Sequence, residues 1–123
     1  MTQKFIPGPR QEKWLRDLET TKAKQGQDKL YNAATKGFCC LGRAAVTRGV
    51  RLGKLAGRAE LSSFEQLEYV ADSLGLRSSG GDADHNITDN FPACTTMNDT
   101  GWSFREIAKH LRRYARYYFT EPK

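Results

Sequence analysis

The 123-residue chain reads as mainly α: a small single domain spanning 1–123, of about four helices with long irregular loops and room for a short β-hairpin. Three observations predict this class. Apolar residues recur at helical spacing in two windows, Phe64, Leu67, Val70, Ala71, Leu74 and Phe104, Ile107, Ala108, Leu111, Tyr114, Ala115, Tyr118. Each window is preceded by a capping box, Ser62 with Glu65 and Ser103 with Glu106, in which both side chains satisfy amide groups that the first helical turn leaves unpaired. Between the helical windows lie Gly- and Ser-rich stretches that interrupt regular structure. With 38% hydrophobic and 28% charged residues, the chain has the composition of a globular protein with a real core.

Taken in order, residues 1–8 carry Pro7 and Gly8 and read as a flexible N-terminus, after which Pro9 suits the first turn of a helix running to Lys22. Its apolar stripe, Trp14, Leu15 and Leu18, is narrow, so it reads as a peripheral helix. The segment 23–37 reads as a connection with a short strand or turn around Leu30 and Tyr31. From Phe38 to Arg48 an apolar run with small residues predicts the central helix, weakened at Gly42 by roughly 1 kcal/mol relative to alanine. Gly49, Gly53 and Gly57 with Arg48, Arg51 and Lys54 mark a loop or irregular hairpin. The next helix is placed at 63–74, terminated by Gly75 in a left-handed conformation. The stretch 76–92, with Ser78-Ser79-Gly80-Gly81 and Asp82, Asp84 and Asp89, reads as an exposed loop with room for mobility. A turn at Asn98-Asp99-Thr100-Gly101 then leads into a last helix, expected to run to Phe119.

The net charge of +6 is segregated: basic residues predominate in 1–60 and 101–123, acidic ones in 61–100. On the last helix, steps of roughly 100° place Arg105, Lys109, Arg112, Arg113 and Arg116 on the arc opposite the core face. A continuous cationic stripe can meet phosphates or carboxylates without rearrangement, which makes these residues the candidate face for a partner, and Tyr117 a candidate for stacking on bases. The simpler alternative is a solvated helix face.

Cys39, Cys40 and Cys94 are odd in number, two of them are adjacent, and no secretory signal precedes them. Reduced, structural thiols in a cytoplasmic protein are therefore expected, and no apolar run is long enough to cross a bilayer. A nucleophilic cysteine would need a base, and only His85 and His110 are available, neither tied to a cysteine by spacing. Zinc ligation lacks a C-x-x-C pair. The spacing of Asp82, Asp84 and Asn86 is that of a calcium loop's start, but Ile87 and Ala93 stand where such a loop needs glycine and glutamate. No metal, cofactor or catalytic set is implied.

Several short segments belong together: Trp14-Leu15, Gln25-Gly26, Phe38-Cys39-Cys40-Leu41-Gly42, and Asn98-Asp99 with Gly101, Ser103-Phe104 and Glu106-Ile107-Ala108. In this combination the chain resembles a group of small, largely uncharacterised proteins of bacteriophages and bacteria, with a tryptophan-bearing first helix, a CCLG segment and a late ND-x-G-x-SF-x-EIA segment. Met97 departs from the usual leucine, and the last helix is more basic than the group's. The resemblance implies a phage-encoded accessory protein. The expected function is binding and modulating, or inhibiting, a host macromolecule such as a defence or transcription component, with a host protein as first-choice partner and self-association allowed. Nucleic-acid binding through the basic helix is one alternative. The other is a binder or enzyme for a small nucleotide-like ligand, in a pocket formed by Gln25, Cys40, Asn98 and Asp99.

Overall fold

The computed structural model describes residues 5–61, 67–86 and 90–123. Helix α1 (Pro9–Thr20) starts at the expected proline, and its first amides find an acceptor at the far end of the chain: the Lys123 carbonyl accepts from Arg10 N (2.8 Å) and Gln11 N (3.1 Å). Gln11 is fully buried and ties three segments together, its Nε2 donating to the carbonyls of Leu74 and Glu121 (both 2.8 Å) and its Oε1 accepting from Gly8 N (2.9 Å). Trp14 and Leu15 are also fully buried, so α1 is a core element rather than a peripheral one. The narrow stripe misleads because Trp14 donates its indole N–H to the Cys40 carbonyl (3.0 Å) while the helix packs against two neighbours at once.

A small antiparallel hairpin follows, β1 (Tyr31–Asn32) and β2 (Gly37–Phe38), with Tyr31 opposite Phe38 and their rings 4.7 Å apart. Asn32 makes the turn by accepting from Ala34 N (2.9 Å) and Thr35 N (3.3 Å). Gln25 and Gly26 add a parallel bridge to Phe38, with Gly26 N donating to the Phe38 carbonyl (2.7 Å) and Phe38 N to the Lys24 carbonyl (2.8 Å).

The central helix α2 (Cys40–Thr47) is shorter than the apolar run, because Phe38 belongs to β2 and Cys39 is the N-cap, its Sγ accepting from Gly42 N (3.4 Å). A bidentate pair from Arg43 to Asp17 (2.7 and 2.9 Å) joins α2 to α1. The stretch 49–57 holds one helical turn, α3 (Leu52–Leu55), instead of a loop or hairpin: Leu55 is buried and gives the segment an anchor.

Of the helix expected at 63–74, α4 (Glu68–Ser73) is described, and the Ser62–Glu65 capping box lies outside the described residues. Gly75 takes the left-handed conformation expected of a terminator (φ +65°). The following stretch is only partly exposed. Leu76, Gly81 and Ala83 are buried, Asp84 N donates to the Tyr117 carbonyl (2.7 Å) and Cys94 N to that of Gly81 (2.9 Å). Helix α5 (Cys94–Asp99), which the sequence reading did not place, takes in the start of the expected turn and buries Cys94, Met97 and Asn98.

The last helix is two. Helix α6 (Phe104–Arg113) carries the predicted capping box, with Glu106 N donating to Ser103 Oγ (3.1 Å) and Ser103 N to Glu106 Oε1 (2.9 Å). After a break at Tyr114 comes α7 (Ala115–Tyr118), which ends because Phe119 is drawn into an antiparallel bridge with Leu76. Helix α6 lies on α1, α1 on α2, and α2 on α5, and the buried side chains of all of these form one cluster.

Candidate functional site

Gln25, Gly26 and Cys40 converge on Asn98, which is fully buried at the end of α5. Its Oδ1 accepts from Gln25 Nε2 (2.9 Å) and Cys40 N (3.1 Å), and its Nδ2 donates to the Gly26 carbonyl (2.7 Å) and Asp99 Oδ1 (3.4 Å). Gln25 in turn donates to the Trp102 carbonyl (2.6 Å) and accepts from Phe104 N (3.1 Å) at the start of α6. Asp99 Oδ1 also accepts from Asp28 N (2.8 Å), holding Asp28 in a left-handed conformation (φ +68°). Gln25, Cys40, Asn98 and Asp99 therefore share one hydrogen-bonded network, in which the polar atoms of Asn98 and Gln25 are engaged by the protein itself.

Cys40 is buried with its Sγ donating to the Cys94 carbonyl (3.3 Å). Burial pushes the Cys39 thiol up to about 11 and raises those of Cys40 and Cys94 well above the ordinary range, so all three are protonated at neutral pH and closed to solvent. None is a thiolate nucleophile in this fold.

A polar cleft of about 440 Å³ opens beside the network, lined by residues 24–27, Asn32, Thr35, Gly101 and Trp102. Of the residues expected to form a pocket, Gln25 reaches its wall, while Cys40 and Asn98 lie buried behind it. Lys24, Gln27, Asn32, Thr35 and Trp102 escaped sequence reading. Trp102 carried a signal, since it is an aromatic side chain set between the turn glycine Gly101 and the cap Ser103, where local structure has no need of one.

The basic stripe divides into two parts. Arg112, one-third exposed, turns its guanidinium onto α1 and grips two carboxylates: Glu19 through Nε (2.7 Å) and Nη2 (2.9 Å), and Glu12 through Nη1 (2.7 Å) and Nη2 (3.1 Å). Arg105 donates to the Glu19 carbonyl (3.2 Å). Arg105, Lys109, Arg113 and Arg116 are exposed, and among the described residues none has a carboxylate within ion-pair distance. Arg105, Lys109 and Arg113, with Glu19 and Arg112, line a shallow depression of about 600 Å³. Arg113 lies over the Tyr114 ring (5.4 Å to the centroid), and Arg116 over Tyr117 (4.8 Å), donating also to its hydroxyl (2.9 Å).

Replacing Arg112 with alanine removes the forked contacts to Glu19 and leaves Glu12 with the longer contact to Arg16 (3.6 Å). We expect a stability loss of about 1–2 kcal/mol, above that of a simple surface pair because two forked contacts are lost together. The hydrogen bond from Arg112 holds the Glu12 carboxyl below its ordinary value of 4.5. A lowered carboxylate contributes stability that is complete above the unfolded-state pKa and disappears as pH falls through the folded-state pKa. Thermal melts at neutral pH and below pH 4.5 check this: the gap in Tm between native chain and variant should be wide at neutrality and narrow in acid.

Behind the arginines lies an aromatic cluster centred on Phe91, whose ring is 4.4 Å from that of Tyr114, 5.1 Å from His110 and 5.2 Å from Tyr117. Tyr118 donates to the Pro92 carbonyl (2.7 Å), so its oxygen is the acceptor for His110 Nε2 (2.9 Å), which fixes the imidazole as the Nε2–H tautomer. Burial lowers the His110 pKa, and the ring is neutral at pH 7. Trp102 joins this cluster edge-on to His110 (5.3 Å), so the wall of the polar cleft and the cationic face of α6 and α7 are continuous through packed rings.

Compared with models of known families, with curated protein sequences and with solved structures, the chain matches none. Among the described residues no helix is long and apolar enough to cross a membrane, and no group of three or more His, Cys, Asp or Glu side chains is arranged to hold a metal ion. In the stretch spaced like a calcium loop, Asp84 accepts from Asn86 N (2.9 Å) and pairs with Arg77 (3.5 Å).

Proposed function

We propose that this chain is an accessory protein of the phage kind it resembles. It works in the cytoplasm of a bacterial host by binding a host macromolecule and altering its activity, and that macromolecule is nucleic acid. The observation that carries the reading is the face of α6 and α7, where Arg105, Lys109, Arg113 and Arg116 are exposed without carboxylate partners among the described residues and two of them lie over tyrosine rings. Unneutralised guanidinium groups meet phosphates, and half-buried Tyr114 and Tyr117 supply rings on which bases stack. Binding rather than covalent chemistry is favoured because the thiols, the strongest nucleophiles available, are buried and protonated.

The test is fluorescence anisotropy with a labelled single strand of ~20 nucleotides, long enough to cover such a face. Replacing Arg113 and Arg116 together with alanine should weaken binding about tenfold or more, since each neutralised phosphate contributes through counterion release. Unchanged affinity in that double variant would overturn the reading. An acidic host protein is the second occupant worth testing, because arginine and tyrosine are also the residues that anchor protein interfaces. It is favoured if the native chain ignores oligonucleotides yet retains one host protein that the double variant releases.

A further inference from the structure

We infer that the polar cleft between the 24–27 loop, the hairpin and Trp102 is a second binding site, and that it takes a single nucleotide. Its volume of about 440 Å³ falls within the range of roughly 300–1,000 Å³ usual for small-ligand sites, and suits one planar base with its sugar and phosphate.

The lining has the matching chemistry. Trp102, half-buried and braced edge-on by His110, gives a rigid aromatic wall. Gln27 and Asn32 carry side-chain amides and Thr35 a hydroxyl, groups that read the edges of a base or sugar. Lys24 is exposed at the wall and is the lining's cation, while among the described residues no carboxylate lines the cleft. An anion is therefore favoured over a cation, and a ring with hydrogen-bonding edges over an aliphatic chain.

The cleft is also preformed. Gln25 and Gly26 are held from behind by Asn98, and the backbone at Trp102 is held by Gln25 (2.6 Å), so little ordering is needed when a ligand arrives. This explains why the resemblance-bearing residues cluster here although Cys40 and Asn98 are themselves inaccessible: they hold the wall that others present. The cleft has a lining distinct from the cationic face, since Arg113 and Arg116 do not line it, although packed rings join the two.

The same chemistry comes from two sources, a free nucleotide or one unit of a strand, and the experiment separates them. Tryptophan emission of the full chain is followed while adenosine, guanosine, cytidine and uridine 5′-monophosphates are added in turn. Trp14 supplies a constant background because it is fully buried. Saturable quenching by at least one of them is expected in the native chain; in Trp102→Ala, which lacks the reporting ring, calorimetric titration should show binding weakened about tenfold or more, since stacking one base on an aromatic ring is worth roughly that factor. Should Trp102→Ala fail to fold, Lys24→Glu at the rim should weaken binding by a similar factor without touching the core. Saturation by a short oligonucleotide but not by monophosphates assigns the cleft to one unit of a strand. No saturable quenching by either, full affinity in both variants, or a nucleoside binding as tightly as its monophosphate would overturn the proposal.

Discussion

Gly42→Ala is expected to prevent the chain from reaching its native fold, or to destabilise it by about 3 kcal/mol or more. Gly42 sits in α2 where the helix passes directly against the backbone of Leu30, and an added methyl group would overlap the Leu30 carbonyl. The segment around Leu30 has no freedom to retreat: Leu30 N donates to the Arg58 carbonyl (2.6 Å), and the Leu30 carbonyl accepts from Cys39 N (3.2 Å) at the cap of α2. On the other side α2 rests against α1, with Trp14 bonded to Cys40. Helix propensity alone predicts the opposite sign, a gain of roughly 1 kcal/mol on replacing glycine by alanine. Urea denaturation followed by circular dichroism decides between them: a midpoint at or above that of the native chain would show that the approach of Leu30 does not constrain this position.

The second large effect is expected at Asn98. Asn98→Ala removes the acceptor for Gln25 and for the Cys40 amide and the donor to the Gly26 carbonyl, all at a fully buried position. Polar groups left without partners in the interior cost about 1–3 kcal/mol each, and only some can turn toward water, so a total of about 3–5 kcal/mol is expected. Asn98→Asp keeps the acceptor but loses the donor and sets a second carboxylate beside Asp99, so it should not restore the native midpoint. The readout specific to a network is its coupling with Gln25. In a double-mutant cycle, Gln25→Ala should cost markedly less in the Asn98→Ala background than in the native chain, with an interaction of at least about 1 kcal/mol. Additive losses would mean that the two side chains act independently.

These two positions also show how far the sequence could be read. The helical class was legible because α6 carries its own punctuation: Ser103 and Glu106 form the capping box they spell, and Phe104, Ile107, Ala108 and Leu111 are buried as their spacing predicts. Gly75 ended α4 for an equally local reason, a backbone conformation that glycine adopts without strain. What was not legible depends on partners distant in sequence. Gly42 reads as a weak point in a helix until Leu30 is seen against it. The end of α7 follows from the bridge between Phe119 and Leu76, and the turn expected at Asn98 became the end of α5, where its side chain is claimed by two other segments.

The site divides in the same way. Helical arithmetic placed Arg105, Lys109, Arg112, Arg113 and Arg116 together on one helix, but it could not show that Arg116 would fall on α7 or that Glu12 and Glu19 on α1 would take Arg112 out of the exposed set. Likewise the shared segments pointed to Gln25, Cys40, Asn98 and Asp99 as neighbours, whereas the accessible wall beside them is made by residues with no periodicity to reveal them. A side chain's place in a motif says that its position matters; its exposure decides whether it can touch a ligand.

The central claim is that the cationic face of α6 and α7 binds nucleic acid through phosphates, and the salt dependence of binding tests it most directly. Anisotropy titrations of the native chain against one labelled single strand, repeated across a series of salt concentrations, give the slope of log K against log salt. With Arg105, Lys109, Arg113 and Arg116 each neutralising a phosphate at about 0.7 per contact, the slope should lie near roughly −3. Its magnitude should fall by about 0.7 for each of these residues replaced by alanine, and stay unchanged for a control substitution at exposed Lys54, on the separate helix α3. A slope near zero, or no binding at low salt, would contradict the account.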